Sequence, residues 1–273
     1  MQQKTRPTEH SVTPPIESMT GWFEQPSNEE TRICLRLEEL FTRLDQYLED
    51  DSTRSSHAII TTLSQLCNAT DRNDLCSKLH KLMIQQLSRI QSYSTSPAVD
   101  LPKLSSLMKI ISEDAALLKQ NMQKPGEQLR QNYFFNSLRQ QLSSPNGLAS
   151  FDSPQYCLWI RQPDGKRRAC LENWLRDFSL LRRVVTRNLS LIRESKEIKH
   201  VTTERGLFEQ PMDKSRSCLL VRVRVDDEQS FYPTISVGKH QINIQLQEIE
   251  DIANGLPKRS YAELPITLHF CYA

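Results

Sequence analysis

The sequence predicts an α+β protein, with a mainly helical domain (a bundle of amphipathic helices) and a smaller antiparallel β domain. Three observations carry that prediction. Up to about Val201, apolar residues recur at helical spacing. Beyond it the period falls to two, most cleanly over Cys218–Val225. Strands follow helices without alternating with them, so a βαβ arrangement is excluded. A chain of 273 residues suits two such domains.

Residues 1–21 hold Pro7, Pro14 and Pro15 among Ser, Thr and Glu, and predict a disordered N-terminal tail. The helical domain is expected over 22–153 and is completed by helices over 168–200. Its first helix opens on Ser27 with Glu30 three residues on, the spacing of a capping box. Ile33, Leu37, Leu40, Phe41, Leu44 and Leu48 form its inner stripe, while Arg32, Arg36 and Arg43 leave on another side. A second helix carries Ile59, Ile60, Leu63 and Leu66. Thr70 or Asp71 can cap a third, with Leu75, Leu79, Leu82, Met83, Leu87 and Ile90 inside. Asp100 caps a fourth, Pro102 sits in its first turn, and Pro125-Gly126 ends it. A fifth, about Glu127 to Leu142, turns Leu129, Phe134, Leu138 and Leu142 inward and exposes Arg130 and Arg139. Amphipathic helices of this kind bury their stripes against one another.

Residues 154–167 and 201–273 are assigned to the β domain. Tyr156–Arg161 reads as a short strand, and Pro163-Asp164-Gly165 as a turn. Helix resumes near Cys170, with Leu171, Trp174, Leu175 and Phe178 on one face. Leu181, Val184, Val185, Leu189 and Ile192 continue it after a break at Asp177–Ser179. In the strand Cys218–Val225, Leu219, Val221, Val223 and Val225 share one face and Leu220, Arg222 and Arg224 the other. Tyr232–Ser236 is extended; Ile242, Ile244 and Leu246 alternate with glutamines; Ile266, Leu268, Phe270 and Tyr272 mark the last strand.

Composition narrows the function classes. A net charge of +2 and a pI near 8.1 fall short of a dedicated nucleic-acid binder. No apolar run approaches a membrane span, and the N-terminus lacks the apolar centre of a signal peptide, so the expectation is a cytoplasmic protein. Seven scattered cysteines without a C-x-x-C pair fit reduced thiols. The six histidines are far apart, no glycine-rich phosphate loop or G-x-S-x-G occurs, and His269 beside Cys271 reads as part of a terminal strand. No enzyme, metal or cofactor is expected. What remains are arginines, whose planar forks suit carboxylates and whose faces stack on apolar groups. Convergent arginine faces would hold an acidic, apolar peptide or a free carboxylate end. Alternatives are solvated surface arginines in weak ion pairs, or a nucleic-acid surface, which would want exposed aromatics among the charges.

Five stretches, in order, resemble the ZapD family (Z-ring-associated protein D). They are Phe23-Glu24-Gln25-Pro26 with Asn28-Glu29, Arg32 and Leu35–Glu38; Leu129-Arg130 through Leu138-Arg139-Gln140 to Pro154 and Trp159; Glu172-Asn173-Trp174 to Arg193; Gly206-Leu207-Phe208; and Leu219–Arg222 with Tyr232-Pro233 and Lys239. The resemblance implies a non-enzymatic cytoplasmic protein at the mid-cell division site. Such a protein binds the C-terminal tail of the tubulin-like GTPase FtsZ through a basic pocket. It forms a symmetric homodimer and bundles FtsZ filaments, with neither nucleic acid nor membrane as a partner. Positions matching the family's arginines are Arg32, Arg36, Arg72, Arg130 and Arg139, with Lys239 on the strand side. The resemblance sets Gln241 and Gln245 where relatives carry basic residues, and Tyr133 and Cys157 where they carry Arg and His. Either the pocket here leans on Arg222, Arg224, Lys239 and His240, or its outline differs.

Overall fold

A computed structural model describes residues 21–96, 99–120, 124–144, 147–148, 153–213, 215–226, 230–251 and 253–273. The expected N-terminal tail lies outside these residues, apart from Gly21, as do the turn residues expected at Pro97, 145–146, 151–152 and 227–229.

The chain opens with a short strand β1 (Phe23–Pro26) and the helix α1 (Glu29–Leu48). Asn28 caps that helix: its side chain accepts from the Thr31 amide at 2.8 Å. The expected cap, Ser27, is engaged elsewhere. Its amide donates to Leu219 O at 3.1 Å and its hydroxyl to Cys218 O, which extends the strand by one residue and moves the cap one position on. Next come α2 (Thr53–Ala69), α3 (Leu75–Ser92) and α4 (Leu101–Gln120). Ser52 caps α2, and Asp100 accepts from the Lys103 amide at the start of α4. Neither Thr70 nor Asp71 caps α3; Thr70 is buried at the end of α2, where its hydroxyl donates to Leu66 O.

The expected fifth helix is two, α5 (Glu127–Gln131) and α6 (Tyr133–Leu142). Asn132 adopts an extended conformation between them and accepts from the Phe135 amide. Tyr156–Arg161 is not a strand. It lies in a helix, α7 (Pro154–Ile160), with Pro154 in its first turn. Tyr156 and Trp159, three apart, share a face there, and Trp159 stacks on Trp174 at 6.2 Å. Aromatic packing thus overrides the strand propensity of that stretch. Two helices follow, α8 (Asp164–Arg176) and α9 (Ser179–Glu194), separated at the expected break. Helix ends at Glu194 rather than at residue 200, because β2 (Lys196–Thr202) begins there.

Five more long or short strands complete the chain: β3 (Leu207–Pro211), β4 (Cys218–Val225), β5 (Phe231–Val237), β6 (Gln241–Glu248) and β8 (Pro265–Tyr272), with the two-residue β7 (Lys258–Arg259) before the last. One sheet runs β1-β4-β8-β2; the other runs β3-β6-β5, with β7 also on β6. β3 and β5 flank β6 antiparallel, in a register that sets Phe208 and Ile235 against Ile244. The α+β class read from the periodicities is therefore the observed one.

By contacts the chain forms two units. The helical one takes residues 26–196, 216–220 and 271–273; among the described residues, the β unit takes 21–25, 197–215 and 221–270. In the first, α9 buries Leu181, Val184, Val185, Leu189 and Ile192 and packs on α1 and α3. In the second, a tight turn between Glu204 and Leu207 lies in the link from β2 to β3. Arg205 and Gly206 both have positive φ (51° and 72°), the conformation of a type I′ hairpin. Glu204 and Leu207 exchange backbone hydrogen bonds of 2.9 and 3.0 Å across it. A Cβ on Gly206 would lie 2.0 Å from Ser260 O, so only glycine fits.

Candidate functional site

α1 separates its two faces sharply. Ile33, Cys34, Leu37, Phe41 and Leu44 are buried. On the inner flank Glu38 accepts both forks of Arg193 from α9, each at 2.7 Å, and Asp45 pairs with Arg182 of the same helix. The outer face carries Glu29, Arg32, Arg36, Glu39 and Arg43, which fall on one side at 100° per residue. Arg43 pairs with Glu39 at 2.9 Å. Arg36 is exposed and makes no ion pair among the described residues.

Four of the helical unit's five predicted arginines gather around one place, the C-terminal end of α2 and the turn after it. Arg139 donates to Asn68 Oδ1 at 2.7 Å. Arg130 donates to Cys67 O and Thr70 Oγ1, both at 2.7 Å, and to Pro125 O at 2.6 Å. Arg72 lies in the turn itself, where it meets Asp74 at 3.2 Å and Glu29 at 3.2 Å. Arg32 reaches the same Glu29 at 2.9 Å. Arg36 is one helical turn beyond Arg32. Helix ends explain part of this convergence: the last carbonyls of α2 lack helical partners and carry partial negative charge, which draws guanidinium groups.

The five are not equivalent. Arg130 has its donors on main-chain carbonyls and Thr70, so its task is holding α5 to the end of α2. Arg32 and Arg72 are half-exposed and share one carboxylate. Hydrogen bonds from Arg32, then Arg72, hold the Glu29 carboxyl below its usual range. The Arg72 guanidinium is raised, chiefly by Asp74 and next by Glu29, and Asp74 is lowered, chiefly by Lys78. Arg139 borders a polar cleft of about 500 Å³, together with Gln65, Asn68, Asn136 and Gln140. Tyr133 is 81% exposed.

In the β unit Arg222 and Arg224 flank Trp22, with guanidinium carbons 4.8 and 5.4 Å from its rings. His269 stacks on the same indole at 4.1 Å. Arg222 Nε stands 2.7 Å from Glu24 Oε1, an ion pair with both side chains mostly buried. Arg224 is exposed and has no ion pair among the described residues. Lys239 and His240 lie elsewhere, exposed in the turn between β5 and β6, and no hydrogen bond or ion pair joins them to the Trp22 group among the described residues. Gln245 has become part of the fold: its amide donates to Gly206 O at 3.0 Å and to Ser260 O at 3.2 Å.

Three participants escaped the sequence pattern. Glu29 was masked by its position in a first turn, where an acid is ordinary. Trp22 sits in a stretch with no alternation to announce a strand. Tyr261, 62% exposed, has Arg205 and Arg259 over its ring at 6.0 and 5.7 Å. The closeness of Arg205 to Tyr261 depends on the junction at Gly206, which no local pattern reveals.

Comparison with known proteins adds a second line. The sequence pattern of ZapD, a cell division protein, matches residues 35–245. Cell division protein ZapD of Coxiella burnetii (strain RSA 331 / Henzerling II) is 34% identical over 249 residues, covering 91% of this chain and 96% of the relative. ZapD of Cupriavidus pinatubonensis is 32% identical over 251 residues, covering 91% and 98%. ZapD of Aromatoleum aromaticum is 28% identical over 249 residues, covering 91% and 96%.

Proposed function

This chain belongs to the ZapD family of cell division proteins, and from that premise we propose that it binds the C-terminal tail of FtsZ and bundles FtsZ filaments as a symmetric homodimer. The tail is flexible, acidic and apolar by the chemistry of the site that would take it. Arg32, Arg36 and Arg72 form the grip in the helical unit, with Arg139 at its border. In the β unit Arg224, Lys239 and His240 offer further exposed cations, and Arg222 holds Trp22 in place. Arg130 acts through the fold. The protein works without a cofactor and without catalysis, in the cytoplasm at mid-cell.

The observation that carries this reading is Arg36. A guanidinium exposed on a helix, one turn from Arg32 and without an ion pair among the described residues, is set for an acid from outside. A two-fold dimer presents the grip twice, so each copy can hold a different filament. Weak individual contacts then add up along paired filaments.

The test is co-sedimentation with FtsZ polymers. Arg36→Glu should abolish it while leaving the helical circular dichroism unchanged, and FtsZ lacking its last residues should fail to bring the wild-type protein down. Because the grip is exposed and ionic, bundling should also weaken as salt rises. Binding that survives Arg36→Glu at high salt would refute an arginine-based grip. One observation favours a second reading: Tyr261 with its two arginines resembles a stacking platform for a single-stranded nucleic acid. A gel shift with an oligonucleotide, steep in salt, would support that use.

A further inference from the structure

We propose that Glu29 is a built-in competitor for the partner's carboxylate, occupying the fork of Arg32 and Arg72 until an acidic peptide displaces it. The proposal rests on the tail-binding reading above and names the residue that sets its affinity. Its basis is geometric. The two oxygens of one carboxylate serve two different arginines: Glu29 Oε2 lies 2.9 Å from Arg32 Nη1, and Oε1 lies 3.2 Å from Arg72 Nη1. That is the arrangement a bound ligand carboxylate would adopt between two guanidinium groups.

Glu29 is also free to leave. It does not cap α1, since the Asn28 side chain already accepts the Thr31 amide. Its side chain is half-exposed, so the acid can swing into water at small cost. Its departure would not release Arg72, whose Nε and Nη2 stay on Asp74 at 3.2 and 3.4 Å while Nη1 is vacated. The Arg72 half of the vacated fork therefore keeps its orientation. Arg36 lies about 6 Å along α1 from Arg32, at 1.5 Å per residue. Two carboxylates on the same side of an extended peptide stand about 6.6 Å apart, at 3.3 Å per residue. One such acid would take the place of Glu29 and the next would reach Arg36.

The competitor also gives selectivity. A ligand with a single weak acid must displace an intramolecular carboxylate and gains little, whereas a ligand with two acids gains Arg36 in addition. The lowered pKa of Glu29 keeps it ionised, and so competing, at neutral pH.

The experiment measures fluorescence anisotropy of two labelled probes, an FtsZ C-terminal peptide and hexaglutamate, against the full chain and its Glu29→Gln variant. Circular dichroism confirms that the variant is folded; glutamine keeps the side chain's shape and can still accept a hydrogen bond. Glu29→Gln is expected to bind both probes roughly two- to tenfold more tightly, because two exposed ion pairs no longer compete. Equal or weaker binding of both probes by the variant would overturn the proposal and make Glu29 a positioning residue. A gain with hexaglutamate alone, with no FtsZ peptide bound by either protein, would uphold the competitor and refute the tail-binding reading. No binding of either probe to either protein would overturn both.

Discussion

Arg130 is the residue on which family resemblance and structure differ most, and Arg130→Ala separates them. The resemblance implies a residue that touches the partner. The structure commits its guanidinium to Cys67 O, Thr70 Oγ1 and Pro125 O, at 2.7, 2.7 and 2.6 Å. Cys67 is in the last turn of α2, where carbonyls have no helical donor. Removing the guanidinium therefore leaves acceptors behind as well as deleting three charge-assisted bonds. At roughly 1 kcal/mol net for each bond in this half-buried setting, the expected loss of stability is about 3 kcal/mol. For a chain of this size that lowers the melting temperature by roughly 6–12 °C. Arg130→Lys, which keeps the charge but not the fork, should recover only part of it. The assay is thermal and urea unfolding by circular dichroism, paired with FtsZ co-sedimentation at a temperature below every transition. Binding by the folded Arg130→Ala protein should persist. A variant as stable as wild type that no longer binds would show that the guanidinium faces the partner, and the structural assignment would be wrong.

Two further predictions follow from backbone geometry and burial. Gly206→Ala places a Cβ 2.0 Å from Ser260 O at a φ of 72°, and should cost at least about 2 kcal/mol, read as a lower urea midpoint in the strand signal. Burial pushes the Cys34 thiol up to about 12 and those of Cys67 and Cys218 up to about 11. At pH 8 these three should resist iodoacetamide in the native protein and react once it is unfolded, which peptide mapping would resolve. Rapid native labelling of Cys34 would contradict the packing of α1.

The architecture was legible wherever a period ran uninterrupted. The stripes of α1 to α4 and the alternation of β6 come from burial on one face, and burial leaves a repeat in the sequence, whereas β8 is buried on both faces after Pro265. The errors sit where something distant decided. Ser27 lost the cap of α1 because Cys218 and Leu219 claim it from across the sheet. Tyr156–Arg161 became a helix because Trp159 stacks on Trp174. Of the site, Arg32, Arg36 and Arg43 could be placed on one face from spacing alone. That Arg72, Arg130 and Arg139 join Arg32 at the end of α2 could not, since the meeting point is created by tertiary packing. Glu29 shows the same limit more sharply. An acid three residues before an arginine reads as a local pair, and its second partner lies in another turn.

A nearly neutral protein can still present a basic grip, because several of its arginines are used internally. Glu38 and Asp45 hold α9 against α1 through Arg193 and Arg182. The buried Asp114 of α4 takes Arg183 and Arg187 of α9. Glu24 holds Arg222. At Asp114 and at the Glu24–Arg222 pair, which are mostly buried, removing one partner would strand a charge against the fold. What can act on a partner comes from the remainder. Among the described residues Arg36 has no ion pair, and Arg32 and Arg72 share Glu29, Arg72 also holding Asp74. Because Glu29 is the acid that Arg32 and Arg72 share, Glu29→Gln and Arg36→Glu should move tail binding in opposite directions. Two substitutions that shift it the same way would mean that binding follows the stability of α1 and not its charge.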